Sequence, residues 1–141
     1  MTRLVILDVG HGNCAVVYDD AGCVVVDAGP GTALLEFLRE RQIGIVEEML
    51  ISHADTDHLK GVQTLLDQSD ITVRSVRLNS DAAQDSMQWD AMLYSLNDRR
   101  RRGTIDFEVQ LIEGFQVPFS GGSVEALAPS AYLAGRGRPV E

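Results

Sequence analysis

Histidine is scarce in this chain: the 141 residues hold 3, at positions 11, 53 and 58, and none lies beyond His58. Positive charge is also short, with 12 Lys and Arg against 21 Asp and Glu and a formal net charge of −9. That balance argues against a broad phosphate-binding face, because nonspecific nucleic-acid affinity comes mainly from basic groups. It does not exclude a metal-centred nuclease, whose cations supply positive charge locally. No stretch approaches the roughly 18 apolar residues that a membrane helix needs. Met1-Thr2-Arg3-Leu4 does not open a signal peptide, since the apolar stretch behind it is broken by Asp8, Gly10 and His11. The default location is therefore cytoplasmic. No P-loop, dinucleotide fingerprint, nucleophile motif, internal repeat or low-complexity segment is present.

Cysteine is limited to Cys14 and Cys23. If Asp19-Asp20-Ala21-Gly22 is a hairpin turn, Tyr18 faces Cys23 and Cys14 faces Asp27. The two sulfurs are then about 13 Å apart at roughly 3.3 Å per residue, too far for a bond that needs Cα atoms within about 7 Å. Both read as small buried thiols, as expected in a reducing compartment.

What is present is an ordinary globular composition, 45% hydrophobic and 23% charged, sufficient for one domain over residues 1–141. Arg3 to Val9, Asn13 to Tyr18 and Cys23 to Asp27 read as strands. Thr32 is placed to cap a helix running to about Gln42, with Leu34, Phe37 and Leu38 on its apolar face and Gly44 at its C-cap. A fourth strand reaches Ser52, and a helix follows from about His58 to Gln68. Val73 to Leu78 is another strand. Asp81 with Gln84 resembles a capping box for a helix to about Arg100, on which Trp89, Leu93 and Leu96 share a face. Phe107 to Ile112 and Ser123 to Ala128 are further strand candidates. Strands alternating with helices predict an α/β layered fold, and the Val- and Leu-rich strands read as buried on both faces.

The segment His53-Ala54-Asp55-Thr56-Asp57-His58 follows the apolar run Glu48-Met49-Leu50-Ile51-Ser52. Alternate positions of an extended segment point the same way, so His53, Asp55 and Asp57 can converge, with His58 beside them. Crowding ionisable groups at a strand end destabilises the fold unless something neutralises them. A divalent metal does so, and N/O donors of this kind suit zinc or manganese. The competing reading is a solvated acidic turn in which Asp57 caps the helix. That accounts for Asp57 but not for His53 and Asp55 on the same side. The run Arg99-Arg100-Arg101-Arg102 reads as a helix C-terminus complementing the dipole, in preference to a phosphate contact.

Three blocks carry a resemblance: Leu7-Asp8-Val9-Gly10-His11-Gly12-Asn13, Val26-Asp27-Ala28-Gly29 and Ile51-Ser52-His53-Ala54-Asp55-Thr56-Asp57-His58-Leu59-Lys60-Gly61. In order and spacing, the chain from Leu4 to about Ser130 resembles the N-terminal half of a metallo-β-lactamase-fold hydrolase, within it the soluble domain of DNA-uptake competence proteins (ComEC-type). The resemblance implies half of an αββα sandwich, a mixed β-sheet flanked by helices. It implies that His53 and Asp55 bind one divalent metal, zinc before manganese. Asp57 and His58 bind or flank a second, and Asp57 orients the attacking hydroxide. By the same resemblance Asp27 is a carboxylate that stiffens the ligand loop; read from its residues alone it is equally a strand-end Asp bonding nearby N–H groups. Asn13 stands where the branch often has Asp, and His11 where it often has Gln.

The superfamily's further ligands come from a second half, which this sequence does not contain. A complete dinuclear site therefore needs more donors than this chain supplies. The second sheet face likewise needs a cover: a C-terminal half, a separate subunit or a second copy of the chain. The expected function is a metal-dependent hydrolase, phosphodiesterase- or nuclease-type, acting on nucleotides or nucleic acid through a metal-bound hydroxide. The alternative is a non-catalytic half-domain acting as a protein-interaction module.

Overall fold

The computed structural model describes residues 1–10, 12–52, 56–79, 87–108, 111, 113–119 and 121–127, with the backbone alone at residues 56–58 and 88. In chain order the elements begin β1 (Arg3–Ile6), β2 (Ala15–Tyr18), β3 (Cys23–Val26), α1 (Ala33–Glu40), β4 (Ile45–Val46) and β5 (Glu48–Ile51). They continue α2 (Thr56–Leu66), β6 (Thr72–Val73), β7 (Ser75–Leu78), α3 (Met87–Arg101), β8 (Asp106–Glu108), β9 (Gln116–Phe119) and β10 (Gly122–Glu125).

The valine-rich strands β2 and β3 pair antiparallel with Tyr18 opposite Cys23, the register expected from the turn. Asp19 fixes that turn, its carboxylate accepting from the amides of Ala21 (2.7 Å) and Gly22 (3.0 Å). β1 joins β2 antiparallel, and β5, β7 and β8 extend the sheet in parallel beyond β3. The resulting six-stranded mixed sheet has the order β1-β2-β3-β5-β7-β8.

Register explains how the sheet is covered. Val5, Val16, Val25, Met49, Val76 and Phe107 lie in one row across the strands and share one core with all three helices. Leu34, Phe37 and Leu38 of α1, and Trp89, Leu93 and Leu96 of α3, contribute the faces expected of them. The opposite row reads Ile6, Ala15, Val26, Leu50, Arg77 and Glu108. Here Val24, Leu50 and Leu111 are buried beneath Phe115, Val117, Phe119 and Val124 of the β9–β10 hairpin and its approach. The chain thus covers part of its own second face, while Leu4 and Ile6 on the β1 edge stay 65% and 71% exposed.

Several boundaries differ from expectation for identifiable reasons. Helix α1 stops at Glu40 because Gln42 (φ 57°), not Gly44, takes the left-handed position. Gln42 N–H donates to Arg39 O (3.1 Å) and Ile43 N–H to Leu38 O (2.8 Å), which closes a Schellman motif. Gly44 instead lends its carbonyl to Thr72 N–H (2.8 Å), beside the short β4–β6 pair. Thr32 sits at the cap position, but its hydroxyl donates to Glu36 (3.3 Å) and accepts no backbone N–H of the first turn. Helix α2 begins at Thr56 and ends at Leu66, two residues ahead of expectation at each end. Strand β9 was not expected; Pro118 within it is tolerated in a two-stranded ribbon that has free edges. Asp81 and Gln84 lie outside the described residues.

Among the described residues no helix is long and apolar enough to cross a membrane. Cys14 and Cys23 are free, buried thiols. Burial pushes both up to about 12, with the charge of Asp27 adding to the effect at Cys14. Because the folded values exceed the ordinary thiol value of 9.0, the stability these groups contribute is complete below pH 9 and lost as pH rises toward 12. Two outcomes are expected: iodoacetamide at pH 8 leaves the folded protein unmodified but labels both thiols in urea, and the thermal midpoint declines from pH 9 upward.

Candidate functional site

The carboxyl ends of parallel strands are where α/β sheets place their ligands, and here each central strand ends on a polar residue. Strand β3 is followed by Asp27, β5 by Ser52 and β7 by Asn79. These residues meet at Ser52. The Asp27 carboxylate accepts from Ser52 N–H (2.8 Å) through Oδ1 and from Ser52 Oγ–H (2.5 Å) through Oδ2. From the other side, Asn79 Nδ2 donates to Ser52 O (3.1 Å). The backbones are laced together as well, Asp27 N–H to Leu50 O (2.8 Å) and Asn79 N–H to Ile51 O (2.9 Å).

Asp27 is 3% exposed and holds a left-handed backbone at φ 56°. Such a conformation in a residue other than glycine costs on the order of 1 kcal/mol, so its surroundings must hold it there. Two residues on, Gly29 (φ 63°) sits so close to Val9 that a Cβ would approach its Cγ2 to 2.6 Å. The Gly29 carbonyl in turn lies against α2, where a Cβ on Gly61 would stand 2.1 Å from Gly29 O. Val9, Asp27-Ala28-Gly29, Ser52 and Gly61 therefore pack as one unit. Described residues from all three sequence blocks, far apart in the chain, thus meet at one end of the sheet.

The expected site residues fall unevenly on this frame. Asp27 is at its centre. Asn13 is exposed in the β1–β2 connection. His11, His53 and Asp55 lie outside the described residues. Asp57 and His58 fall in the first turn of α2, their side chains outside the description. With α2 starting at Thr56, Asp57 is inside the helix and does not occupy the N-cap position that a solvated acidic turn would give it. Among the described residues no group of three or more His, Cys, Asp or Glu is placed to hold a metal. Sequence reasoning missed Ser52 and Asn79 as members of the site. The available signal was positional: each closes an apolar strand, as Asp27 does.

One cavity lies far from this unit and another lies beside α2. The first, of about 370 Å³, lies at the opposite end of the sheet, between the Asp19–Gly22 turn and the Arg41–Ile45 segment. A second, of about 260 Å³ and lined by Leu59, Lys60, Gln63, Ala91, Met92 and Ser95, opens between α2 and α3 and starts one residue after His58. The arginines of the α3 terminus are engaged locally: Arg99 with Asp67 (3.1 Å), Arg102 with Asp98 (3.1 Å) and Arg100 over the Phe107 ring at 5.9 Å.

Residues 7–129 match the family model of the Metallo-beta-lactamase superfamily. No curated protein matches the chain by sequence. Among solved structures, the metallo-beta-lactamase SMB-1 bound to 2-mercaptoethanesulfonate aligns with TM-score 0.56 at 16% identity, over 90% of this chain and 50% of that one. The MIM-2 metallo-beta-lactamase aligns with TM-score 0.49 at 19% identity, over 90% and 48%. A diphosphatase from the PhnP family aligns with TM-score 0.46 at 14% identity, over 79% and 41%. At such identities the SMB-1 likeness is one of fold, and the chain spans about half the length of these structures.

Two stability measurements test the packed unit. Asp27→Asn keeps the side-chain shape but cannot accept both Ser52 donors in the same way. It is expected to destabilise by roughly 1–3 kcal/mol, read as a lowered urea midpoint. Gly61→Ala should also destabilise, although alanine is the better helix former by about 1 kcal/mol. The methyl meets a backbone carbonyl, and overpacking costs about 1–3 kcal/mol or more. An unchanged or raised midpoint for Gly61→Ala would show that α2 does not rest on Gly29.

Proposed function

The chain belongs to the metallo-beta-lactamase superfamily, and we propose that it acts there as a metal-dependent hydrolase of the phosphodiesterase or nuclease type, in the competence-protein (ComEC-type) branch. The observation that carries this reading is the convergence of three strand ends on Ser52, the residue immediately before His53. A fold that clamps the root of a segment so rich in imidazole and carboxylate has reason to hold that segment still.

The donor set fits the group. His53, Asp55, Asp57 and His58 offer two imidazoles and two carboxylates, N/O ligands suited to zinc and also to manganese. A divalent cation held there would supply Lewis acidity toward a phosphate ester and ionise water near neutral pH. The chain's own residues do the rest. Asp57 orients the attacking water, and Asp27, through Ser52, keeps the ligand segment from relaxing away. Asn13 belongs to the β1–β2 connection, whose Val9 packs on Gly29, and His11 stands two residues before Asn13 in the sequence. With 3 histidines in all, a two-metal site draws further donors from a C-terminal half, a partner protein or a second copy, lying over the sheet face where Leu4 and Ile6 are exposed. The location that suits free thiols and this chemistry is the cytoplasm.

That same exposed strip favours a second reading, in which the domain is a non-catalytic interaction module. Elemental analysis and native mass measurement separate the two. Zinc or manganese retained at micromolar concentration, with turnover of bis(p-nitrophenyl) phosphate that falls about 10²–10⁴-fold in Asp57→Ala, is the expected result. A protein that takes up neither metal, alone or in its native complex, overturns the hydrolase reading and leaves the module.

A further inference from the structure

We propose that Asn79 is a positioning residue for the His53–His58 segment, acting through the Ser52 carbonyl; the proposal rests on the reading of that segment as metal-binding. A trans peptide unit is planar, so a hydrogen bond to the Ser52 carbonyl fixes the peptide plane on the C-terminal side of Ser52. Asp27 cannot do this. Its carboxylate holds Ser52 N–H and Oγ, which fixes the preceding peptide plane and the serine side chain. The plane that leads into His53 is held by Asn79 Nδ2 at 3.1 Å.

Asn79 is itself well anchored. Its backbone N–H donates to Ile51 O at 2.9 Å, continuing the β5–β7 ladder by one residue, so its side chain works from a rigid base. The residue type also fits the task. A carbonyl needs a donor, and an ionised aspartate in this place has none. Ser52 is thus gripped from both neighbouring strands, an acceptor on one side and a donor on the other. The two grips set successive planes of the same chain exit.

Two variants that remove the donor separate this role from alternatives: Asn79→Leu, neutral and of similar bulk, and Asn79→Asp, isosteric and anionic. Zinc alone is titrated into each protein by calorimetry, and amide exchange is followed in the metal-free state. If Asn79 positions the segment, both variants bind zinc about 10–100-fold more weakly, the range for losing an outer hydrogen-bond partner of a metal site. Amides 52–58 then exchange at least fivefold faster, while those of β3 and β5 stay within twofold of wild type. If its role is electrostatic, Asp tightens zinc and Leu leaves it unchanged, which overturns the proposal. Uniformly faster exchange across the sheet with unaltered affinity also overturns it, by showing a structural role alone. A wild type that binds no zinc removes the metal reading instead, and the exchange data still decide whether Asn79 fixes the segment. If one variant does not fold, the other carries both measurements.

Discussion

A buried carboxylate on a left-handed backbone organises this domain. Asp27 has two features that oppose folding: burial of a group that prefers water, and a strained φ. Two hydrogen bonds to Ser52 offset them, each worth roughly 1.5–3 kcal/mol when the acceptor is charged. The pair adds a side-chain tie to the backbone bond of Asp27 N–H with Leu50 O, so the end of β3 and the end of β5 are fixed together. The left-handed turn at Asp27 directs the chain to Gly29, whose carbonyl is the seat of α2, and its contact with Val9 brings in the β1–β2 connection. One interaction between two strand ends thereby places a helix and a loop from two other parts of the sequence.

The sheet is covered unequally, and the inequality has a physical basis in its rows. On the helical face one apolar residue from each strand of the six-stranded sheet lines up, and the three helices bury the row except for a partly buried Val5 at the β1 edge. The other face changes character along its length. Toward β1 it is aliphatic; toward β7 and β8 it carries Arg77 and Glu108. The β9–β10 hairpin suits this change, with Phe115 beneath the Arg77 guanidinium at 4.3 Å and Val117, Phe119 and Val124 against Val24 and Leu50. Burial pushes the Glu48 carboxyl up despite Arg77 at 3.5 Å, a cost accepted where charge meets the core margin. The hairpin does not cover Leu4 and Ile6, which stay in solvent at the β1 edge.

Local rules were legible in the sequence, and long-range choices were not. The Asp19–Gly22 turn set the β2–β3 register because turn chemistry and strand pairing are neighbours in the chain. The helix faces with Leu34, Phe37, Trp89 and Leu96 followed from spacing. Gln42 was hidden because the left-handed cap position usually belongs to glycine, and Gly44 lay two residues away as a decoy. Strand β9 was hidden because Pro118 reads as a strand breaker unless the strand is known to lie in a ribbon with free edges. The ligand-rich segment announced itself through composition, and Asp27 through its block. Ser52 and Asn79 did not, since a serine or asparagine after an apolar strand is common. Only the parallel order β3-β5-β7 shows that three such ends meet.

Charge bears on what the site can act upon. Among the described residues several arginines are already paired with carboxylates: Arg39 with Asp70 (3.0 Å), Arg74 with Glu47 (3.3 Å) and the α3 terminus with Asp67 and Asp98. Exposed pairs of this kind are worth only about 0–1 kcal/mol each, so they hold little stability. They still matter for binding, because a phosphate arriving at such an arginine exchanges one anion for another and gains only the difference. With a net charge of −9, the surface repels an extended polyanion at a distance and offers it little on contact. If the proposed phosphodiesterase reading holds, the positive charge that such a substrate requires comes from the site itself. Under the proposed hydrolase reading, a short substrate bound by its reacting phosphate, or a long one held by another protein, fits this domain better than a duplex gripped along its backbone.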